Sequence, residues 1–261
     1  MDKATENTTK TEVNRNIKVV NRDMLKYMAL ITMGIGHMLT FIGPKHFTFL
    51  PRPLFLLAFY GQFFAPPVFF FFISEGFVYT RSRKKYALRL AIIALITQIP
   101  YYLCEFEGEP VWAMLTNWSV LASLLAGLLV LIVWESGWKL PVRIIVMLAI
   151  TTVTFLLTFE WMIFAPVCIF MMYILREQPF KRFAAFAILM LIHQFVCNGF
   201  AFCFNIQSVR YLVAELAAMI VITFFYNGKK GHFPTFSKWI FYVFYPLHLL
   251  VAYLIKLACG F

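Results

Sequence analysis

The stretch FFFFISEGFVYTRSRKKYALRLAIIALITQIPYY, residues 69–102, carries the clearest signature of the fold. An apolar run that contains Glu75 leads into five basic residues, and a second apolar run follows. Basic turns between apolar runs are typical of two membrane spans joined at one face of a bilayer. Because a charged side chain at membrane depth costs about 2.5 kcal/mol or more, Glu75 indicates a water-filled pathway, a polar partner or a catalytic pocket inside the membrane, and we expect chemistry or transport there.

The composition supports a membrane protein. Hydrophobic residues make up 62% of the 261 residues, charged residues make up 13%, and the mean hydropathy is +0.78. The apolar runs match a hydrocarbon core of about 30 Å and lack the alternation of barrel strands. We therefore predict an all-α polytopic membrane protein, with a polar cytoplasmic tail over 1–22 and one transmembrane helical domain over 23–261.

Nine apolar segments are candidate spans, and the sixth is the shortest. They cover residues 24–42, 53–80, 86–103, 114–134, 140–157, 161–175, 183–205, 209–226 and 239–258. Within the second segment, Pro66-Pro67 removes two backbone donors, so we expect this helix to be broken there. Broken helices at membrane depth tend to line cavities, although a packed kink is the alternative.

The basic residues predict the orientation. With a cytoplasmic N-terminus, all but four of the 23 Lys and Arg residues fall on the inner side, and the C-terminus is external. The four exceptions are Lys45, Arg52, Arg210 and Lys256. We expect a multi-pass protein of the plasma or inner membrane. The net charge of +11 lies at this inner face, where it fits anionic lipid headgroups or an anionic cytosolic substrate.

Several polar residues fall at similar depth in different spans. His37 lies at mid-depth in the first span, about 16 Å deeper than Lys26, which is eleven residues earlier at the inner end of the span and on the same helix face. The other residues of this layer are Gln98, His193, Glu215 and His248. We expect them to line a polar substrate pocket, with cross-helix hydrogen bonds as the alternative for each. No spacing of His or Cys favours a metal site, and we expect neither a metal nor a nucleic-acid partner.

Three separated motifs resemble the TraX family of membrane proteins. They are LKYMALITMGIGHML (25–39), PVFFFFISEGFVYTRSRKKYALRLAIIALITQIP (67–100), and YNGKKG (226–231) followed by FYVFYPLHLL (241–250). The resemblance implies acetylation, since the family's named member acetylates the N-terminal amine of a conjugative pilin. A wider acyltransferase group has a basic residue and a histidine separated by ten residues, as Lys26 and His37 are. The family's aspartate before that histidine is replaced by Gly36.

The resemblance also implies roles for individual residues. His37 would act as general base, Glu75 would orient its imidazole in place of the absent aspartate, and His248 would stabilise the oxyanion or hold the acceptor. Acetyl-CoA from the cytosol would be the acyl donor, with its phosphates held by basic residues. These are Lys26, Arg81, Arg83, Lys84, Lys85, Arg89 and Lys229 of the cytoplasmic turn.

Two other functions fit the same sequence. A secondary transporter or proton-coupled carrier would place its site at the broken second span, but it would be expected to repeat such a break in its other half. A structural or assembly protein without catalysis would explain the missing aspartate. For the acetyltransferase, the expected partners are membrane lipids, acetyl-CoA and an acceptor of the cell envelope, which is a glycan, a lipid-linked sugar or a pilin-like peptide. The oligomeric state cannot be read from the sequence.

Overall fold

A computed structural model describes residues 18–199 and 205–259, with the side chains of residues 234 and 238 left aside. In this part the chain is all-α. Its helices are α1 Arg22–Ile42, α2 Arg52–Gly61, α3 Ala65–Tyr79, α4 Arg83–Glu105, α5 Ala113–Thr116, α6 Val120–Trp134, α7 Leu140–Leu156, α8 Phe164–Ile174, α9 Pro179–Asn198, α10 Ile206–Ile220 and α11 Pro234–Cys259. Most of the predicted tail, residues 1–17, lies outside the described residues.

Each of the nine apolar segments contains a helix, and the lengths differ. Six helical spans of the described chain are long and apolar enough to cross a membrane: α1, α2 with α3, α4, α9, α10 with the turn that follows it, and α11. Helices α6, α7 and α8 are shorter apolar helices. The fold is therefore that of a polytopic α-helical membrane protein, as predicted.

A 3₁₀ turn interrupts the second span just before Pro66-Pro67. Helices α2 and α3 form one span over Arg52–Tyr79, and the three residues Gln62–Phe64 between them form a 3₁₀ turn. The two prolines occupy the first turn of α3, where their missing N–H groups cost least. Since the backbone at Gln62 and Phe64 stays helical, the interruption is a tightened turn in a continuous span.

Helix α3 lies at the centre of the bundle, against α1, α6, α8 and α10. Its run Phe69–Phe71 is buried, with Phe70 fully inaccessible. Edge-to-face contacts join Phe69 to Phe241 and Phe70 to Trp161, with ring centroids 4.9 and 5.6 Å apart. The phenylalanine run of the sequence is therefore core packing, which fixes α3 among its neighbours.

Helices α1 and α11 pack side by side and run in the same direction. The start of α1 is held by the chain just before α11, where Phe233 N–H donates to Asp23 Oδ2 at 3.2 Å. One helical span further on, His37 of α1 meets His248 of α11. The helices approach closely at Gly34, where a Cβ atom would lie only 2.7 Å from the ring of Phe244. This interface positions the candidate site.

Candidate active site

His37 and His248 form a stacked, hydrogen-bonded pair between α1 and α11. His37 Nδ1 lies 2.8 Å from His248 Nε2, and the ring planes are 18° apart. His248 is 5% exposed, whereas His37 is half-buried. Phe41 packs on the His37 ring, and Phe244 stacks on the His248 ring. The pair is thus enclosed by aromatic rings but keeps access on the His37 side.

The hydrogen bonds assign the ring protons. His248 Nδ1 lies 2.9 Å from the carbonyl oxygen of Phe244, which only accepts, so this nitrogen carries a proton. In a neutral imidazole the other nitrogen, His248 Nε2, is then an acceptor, and His37 Nδ1 must donate to it. The remaining nitrogen, His37 Nε2, therefore has a free lone pair. This is the protonation state that a general base requires.

This arrangement changes the expected role of His248. Both of its ring nitrogens are already engaged, so neither is available to donate to an oxyanion. Instead, His248 fixes the tautomer and the orientation of His37. A neutral acceptor thus takes the position that a carboxylate occupies in a Ser-His-Asp triad.

The glycine before His37 is explained by packing. A Cβ atom on Gly36 would overlap the Cβ atom of Gln62 in the 3₁₀ turn. The Gln62 amide in turn donates to Phe59 O at 2.8 Å and to Thr40 Oγ1 at 3.2 Å. The interrupted second span therefore fills the space that an aspartate side chain would need.

The expected pairing of Glu75 with His37 is wrong. Glu75 Oε2 accepts from Arg22 Nε at 3.1 Å, and Glu75 Oε1 accepts from the Tyr226 hydroxyl at 2.7 Å. Arg22 begins α1, and His37 lies fifteen residues further along it, about 22 Å away. Glu75 is close to the last turn of α3, so it belongs to the end of the bundle that carries the basic turn.

A cavity of about 270 Å³ opens at this basic end between α1, α3, α4 and α11. The charged residues in its lining are Arg22, Lys26, Glu75 and Arg89. Three cations and one carboxylate give the cavity a net positive charge. Phe69, Phe241 and other aromatic residues line the rest. The cavity therefore suits an anion attached to a less polar group.

Only part of the predicted phosphate-binding set reaches this cavity. Lys26 and Arg89 line it, whereas the remaining five residues are absent from its lining: Arg81, Arg83, Lys84, Lys85 and Lys229. The guanidinium of Arg83 lies over the ring of Phe77 instead, 4.2 Å from its centroid. Arg22, which the sequence analysis missed as a site residue, takes part. The sequence signal that could have identified Arg22 is its position four residues before Lys26, on the same helix face.

The YNGKKG turn fastens α1 to the rest of the bundle. Asn227 N–H donates to Val20 O at 2.9 Å, and Arg22 N–H donates to Lys229 O at 3.0 Å. Gly231 lies so close to the Asp23 carboxylate that no side chain would fit there. Lys229 thus contributes its backbone carbonyl to the start of α1.

Comparison of the sequence with known proteins places the chain in a family. The profile described as TraX protein matches residues 21–256, which include both histidines, the basic cavity and the turn. The chain belongs to the TraX family. It is also 27% identical over 235 residues to the probable fimbrial assembly protein FimC, serogroup H1, of Dichelobacter nodosus, covering 86% of this chain and 91% of that protein. No solved structure matches.

In this TraX-family chain Gln98 is a structural residue, contrary to the expectation of a substrate pocket. Its Nε2 donates to Met114 O at 2.9 Å and also to Asn117 O, while its Oε1 accepts from Ser119 N–H at 3.3 Å. The amide is thus used to hold the backbone between α4 and α6. The sequence predicts the depth of Gln98 along its span, but the packing of the helices directs its side chain to this loop.

His193 and Glu215 do not join the histidine pair either. His193 of α9 stacks on Trp161 and meets Phe164 edge-on, with centroids 5.0 and 4.7 Å away. Glu215 of α10 is 1% exposed, and its Oε2 has no hydrogen-bond partner within the described part of the chain. The single layer of polar residues expected from the sequence is therefore divided among separate places in the TraX-family bundle.

A further carboxylate, Glu160, lies in the loop between α7 and α8. Its Oε2 accepts from the N–H of Val120 at the start of α6 at 3.0 Å. Burial and the nearby charge of Glu105 raise the pKa of Glu160 to about 7. Three non-glycine residues of the loop have positive φ, namely Thr158, Trp161 and Met162. No sequence pattern marked this loop.

Proposed function

We propose that this protein is an integral membrane acetyltransferase that moves an acetyl group from cytosolic acetyl-CoA to an amine or hydroxyl of a cell-envelope acceptor. The proposal rests chiefly on the hydrogen-bond chain from His37 through His248 to the Phe244 carbonyl. This chain leaves a lone pair on His37 Nε2 at a half-buried position. An oriented base of this kind is what attack on a thioester needs.

The proton balance follows from this geometry. His37 Nε2 takes the proton from the acceptor amine or hydroxyl as its nitrogen or oxygen attacks the thioester carbonyl carbon. The tetrahedral adduct then collapses with cleavage of the carbon–sulfur bond, and the leaving sulfur receives the proton from His37 Nε2. His248 holds the His37 ring in place, and the proton on His37 Nδ1 stays hydrogen-bonded to His248 Nε2 throughout. The pair therefore returns to its starting state after each transfer.

The cavity at the basic end is the proposed site for the phosphates of acetyl-CoA. Arg22, Lys26 and Arg89 supply the positive charge. Lys26 is eleven residues from His37 along α1, or about 16 Å, and Tyr242 in the cavity lining is six residues from His248 along α11, or about 9 Å. An extended thioester arm running inward between these helices would bring the acetyl group toward His37 Nε2. The positive-inside pattern favours a cytosolic location for this end.

The acceptor class is suggested by the family. The relative from Dichelobacter nodosus is named for fimbrial assembly, so the terminal amine of a fimbrial or pilin-like subunit is the first acceptor to test. Hydroxyl groups of envelope glycans and lipid-linked sugars are the next. The same base serves either nucleophile, because both lose one proton during attack.

Acetyl transfer by the purified protein in detergent tests the proposal. The assay follows radiolabel from acetyl-CoA into a panel of pilin-like peptides and glycans, and isothermal titration measures acetyl-CoA binding in parallel. We expect His37→Gln to lose transfer and to keep binding, and the exposed His232→Gln to retain both. If the wild type binds acetyl-CoA but transfers acetyl to none of the acceptors, the proposed donor site stands and the choice of acceptors is overturned. If the folded wild type does not bind acetyl-CoA, the proposal that this protein is an acetyltransferase is overturned.

A further inference from the structure

A second, larger concavity lies on the opposite side of α1 from the histidine pair. It has a volume of about 710 Å³ between α1, α2 and α10. Met28, Thr32 and Ile35 of α1 line it, and these positions lie on one helix face that is turned away from His37. Its surface is almost entirely apolar. This groove is therefore separate from the basic cavity and from the proposed reaction.

The groove faces outward along the bundle. Leu57 of α2 is 72% exposed and Val213 of α10 is 60% exposed, although both lie in spans that are long and apolar enough to cross a membrane. Exposed apolar side chains on such spans contact lipid hydrocarbon. An acyl chain could therefore enter the groove from the side and lie along α10 as far as Ala217.

One cation lies among these apolar residues. Arg210 lines the groove in the second turn of α10, and its guanidinium lies 5.4 Å from the ring centroid of Tyr60. It pairs with no carboxylate in residues 18–199 and 205–259, whereas Lys256, at the same end of the bundle, is paired with Glu107. Arg210 is also among the few basic residues that fall outside the positive-inside pattern. Topology therefore does not explain its presence.

Arg210 lies near one end of a candidate span, which suits a lipid phosphate. It lies four residues from the start of α10, about 6 Å along the helix, and Ala217 lies about 10 Å deeper. A lipid with its phosphate at Arg210 would thus have its acyl chain directed toward the membrane centre, along the apolar lining. Arginine binds phosphate oxygens in a bidentate manner, and the ring of Tyr60 holds its guanidinium in place.

We propose that this groove binds one anionic phospholipid, with the phosphate on Arg210 and an acyl chain between α1, α2 and α10. The proposal combines charge complementarity at one end of the groove with an apolar lining along the rest. It does not depend on the acetyltransferase activity, since none of its residues lines the basic cavity and, within the described residues, no hydrogen bond or ring contact joins them to the histidine pair.

Thermal unfolding of the delipidated, detergent-purified protein provides the test. The probes are dioleoylphosphatidylglycerol, dioleoylglycerol with the same chains but no phosphate, and glycerol 3-phosphate without chains. We expect only the phospholipid to raise Tm, by about 5 °C when it is present at roughly 100 times its Kd. Equal stabilisation by dioleoylglycerol, or none by the phospholipid, would overturn the proposal.

Matched variants locate the binding site. Arg210→Gln removes the charge and Ala214→Phe fills the groove, so both should lose most of the phospholipid-dependent shift. The controls are Lys45→Gln, an exposed cation at the same end, and Ala149→Phe, which lines a different apolar concavity on α7. If the controls lose as much of the shift as the test variants, the site is not this groove. A dimer in the wild type that Ala214→Phe dissociates would instead show that a second copy occupies it.

Discussion

His37 Nδ1 and His248 Nε2 lie 2.8 Å apart, although the two residues are 211 positions apart in the chain. The contact depends on two parallel helices that approach closely at Gly34. It gives His37 a fixed tautomer without a neighbouring carboxylate. The structure thereby accounts for an oriented imidazole in a chain that has Gly36 directly before this histidine.

The histidine pair should act as a unit in catalysis. His37→Gln is expected to lower kcat for acetyl transfer by about 10²–10⁴-fold, the usual contribution of a general base. His248→Phe should have a smaller effect, and the double variant should lose much less than the product of the two. Steady-state kinetics of the three variants measure this coupling. Multiplicative losses would mean that His248 does not act through His37.

Glu75 should be important for stability rather than for chemistry. Glu75→Gln leaves the half-buried Arg22 without its charged partner, and we expect a loss of about 1–3 kcal/mol in unfolding free energy. Tyr226→Phe removes one hydrogen bond to the same carboxylate and should cost about 1 kcal/mol. Thermal unfolding in detergent measures both. Turnover per folded Glu75→Gln molecule should persist, and its collapse to the level of His37→Gln would restore a catalytic role for Glu75.

Introducing an aspartate at position 36 should destabilise this chain. Gly36→Asp and Gly36→Ala both introduce a Cβ atom that overlaps Gln62, and overpacking of this kind costs about 1–3 kcal/mol. Adding Gln62→Ala to Gly36→Ala shortens the Gln62 side chain but keeps its Cβ atom, so this double variant should recover only part of the lost stability. Adding Gln62→Gly to Gly36→Ala should recover more. Melting temperatures of the four variants distinguish these cases. Full stability of Gly36→Ala would disprove the steric explanation.

The cavity at the basic end should bind acetyl-CoA through a subset of the basic residues. Lys26→Gln and Arg89→Gln remove charges from the lining and should each weaken binding by about tenfold, as expected for a lost charged hydrogen bond. Lys84→Gln and Lys85→Gln remove exposed charges outside it and should change Kd much less. Isothermal titration at two salt concentrations measures the difference. If all four variants weaken acetyl-CoA binding equally, binding depends on the overall positive charge of this end and not on the cavity lining.

Glu160 predicts a dependence of stability on pH. Its folded pKa of about 7 lies above the ordinary value of 4.5, so the folded protein holds this proton more tightly than the unfolded chain does. Its contribution to stability is therefore fully present below about pH 4.5 and is lost as the pH rises to about 7. Tm should be higher at pH 5 than at pH 7.5. Glu160→Gln should remove most of that difference, whereas the exposed Glu109→Gln should leave it unchanged.

The sequence by itself determined the helical membrane fold, the nine apolar segments and the interruption at Pro66-Pro67. These follow from local properties: hydropathy, helical rise and the missing donor of proline. It also placed Lys26 and His37 on one face of α1, because the helical period fixes that relationship. Helical depth also made His248 a candidate, and the family motifs gave it an expected role, although without its partner.

Only the tertiary structure decided which polar side chains meet. His37 pairs with His248, Glu75 with Arg22 and Tyr226, and Gln98 with a loop, because residues at equal depth in different spans can point in any direction around their helices. Packing of those helices fixes the direction. The same reason explains why Glu160 escaped notice: its surroundings are built from segments that are distant in the chain and carry no common sequence pattern.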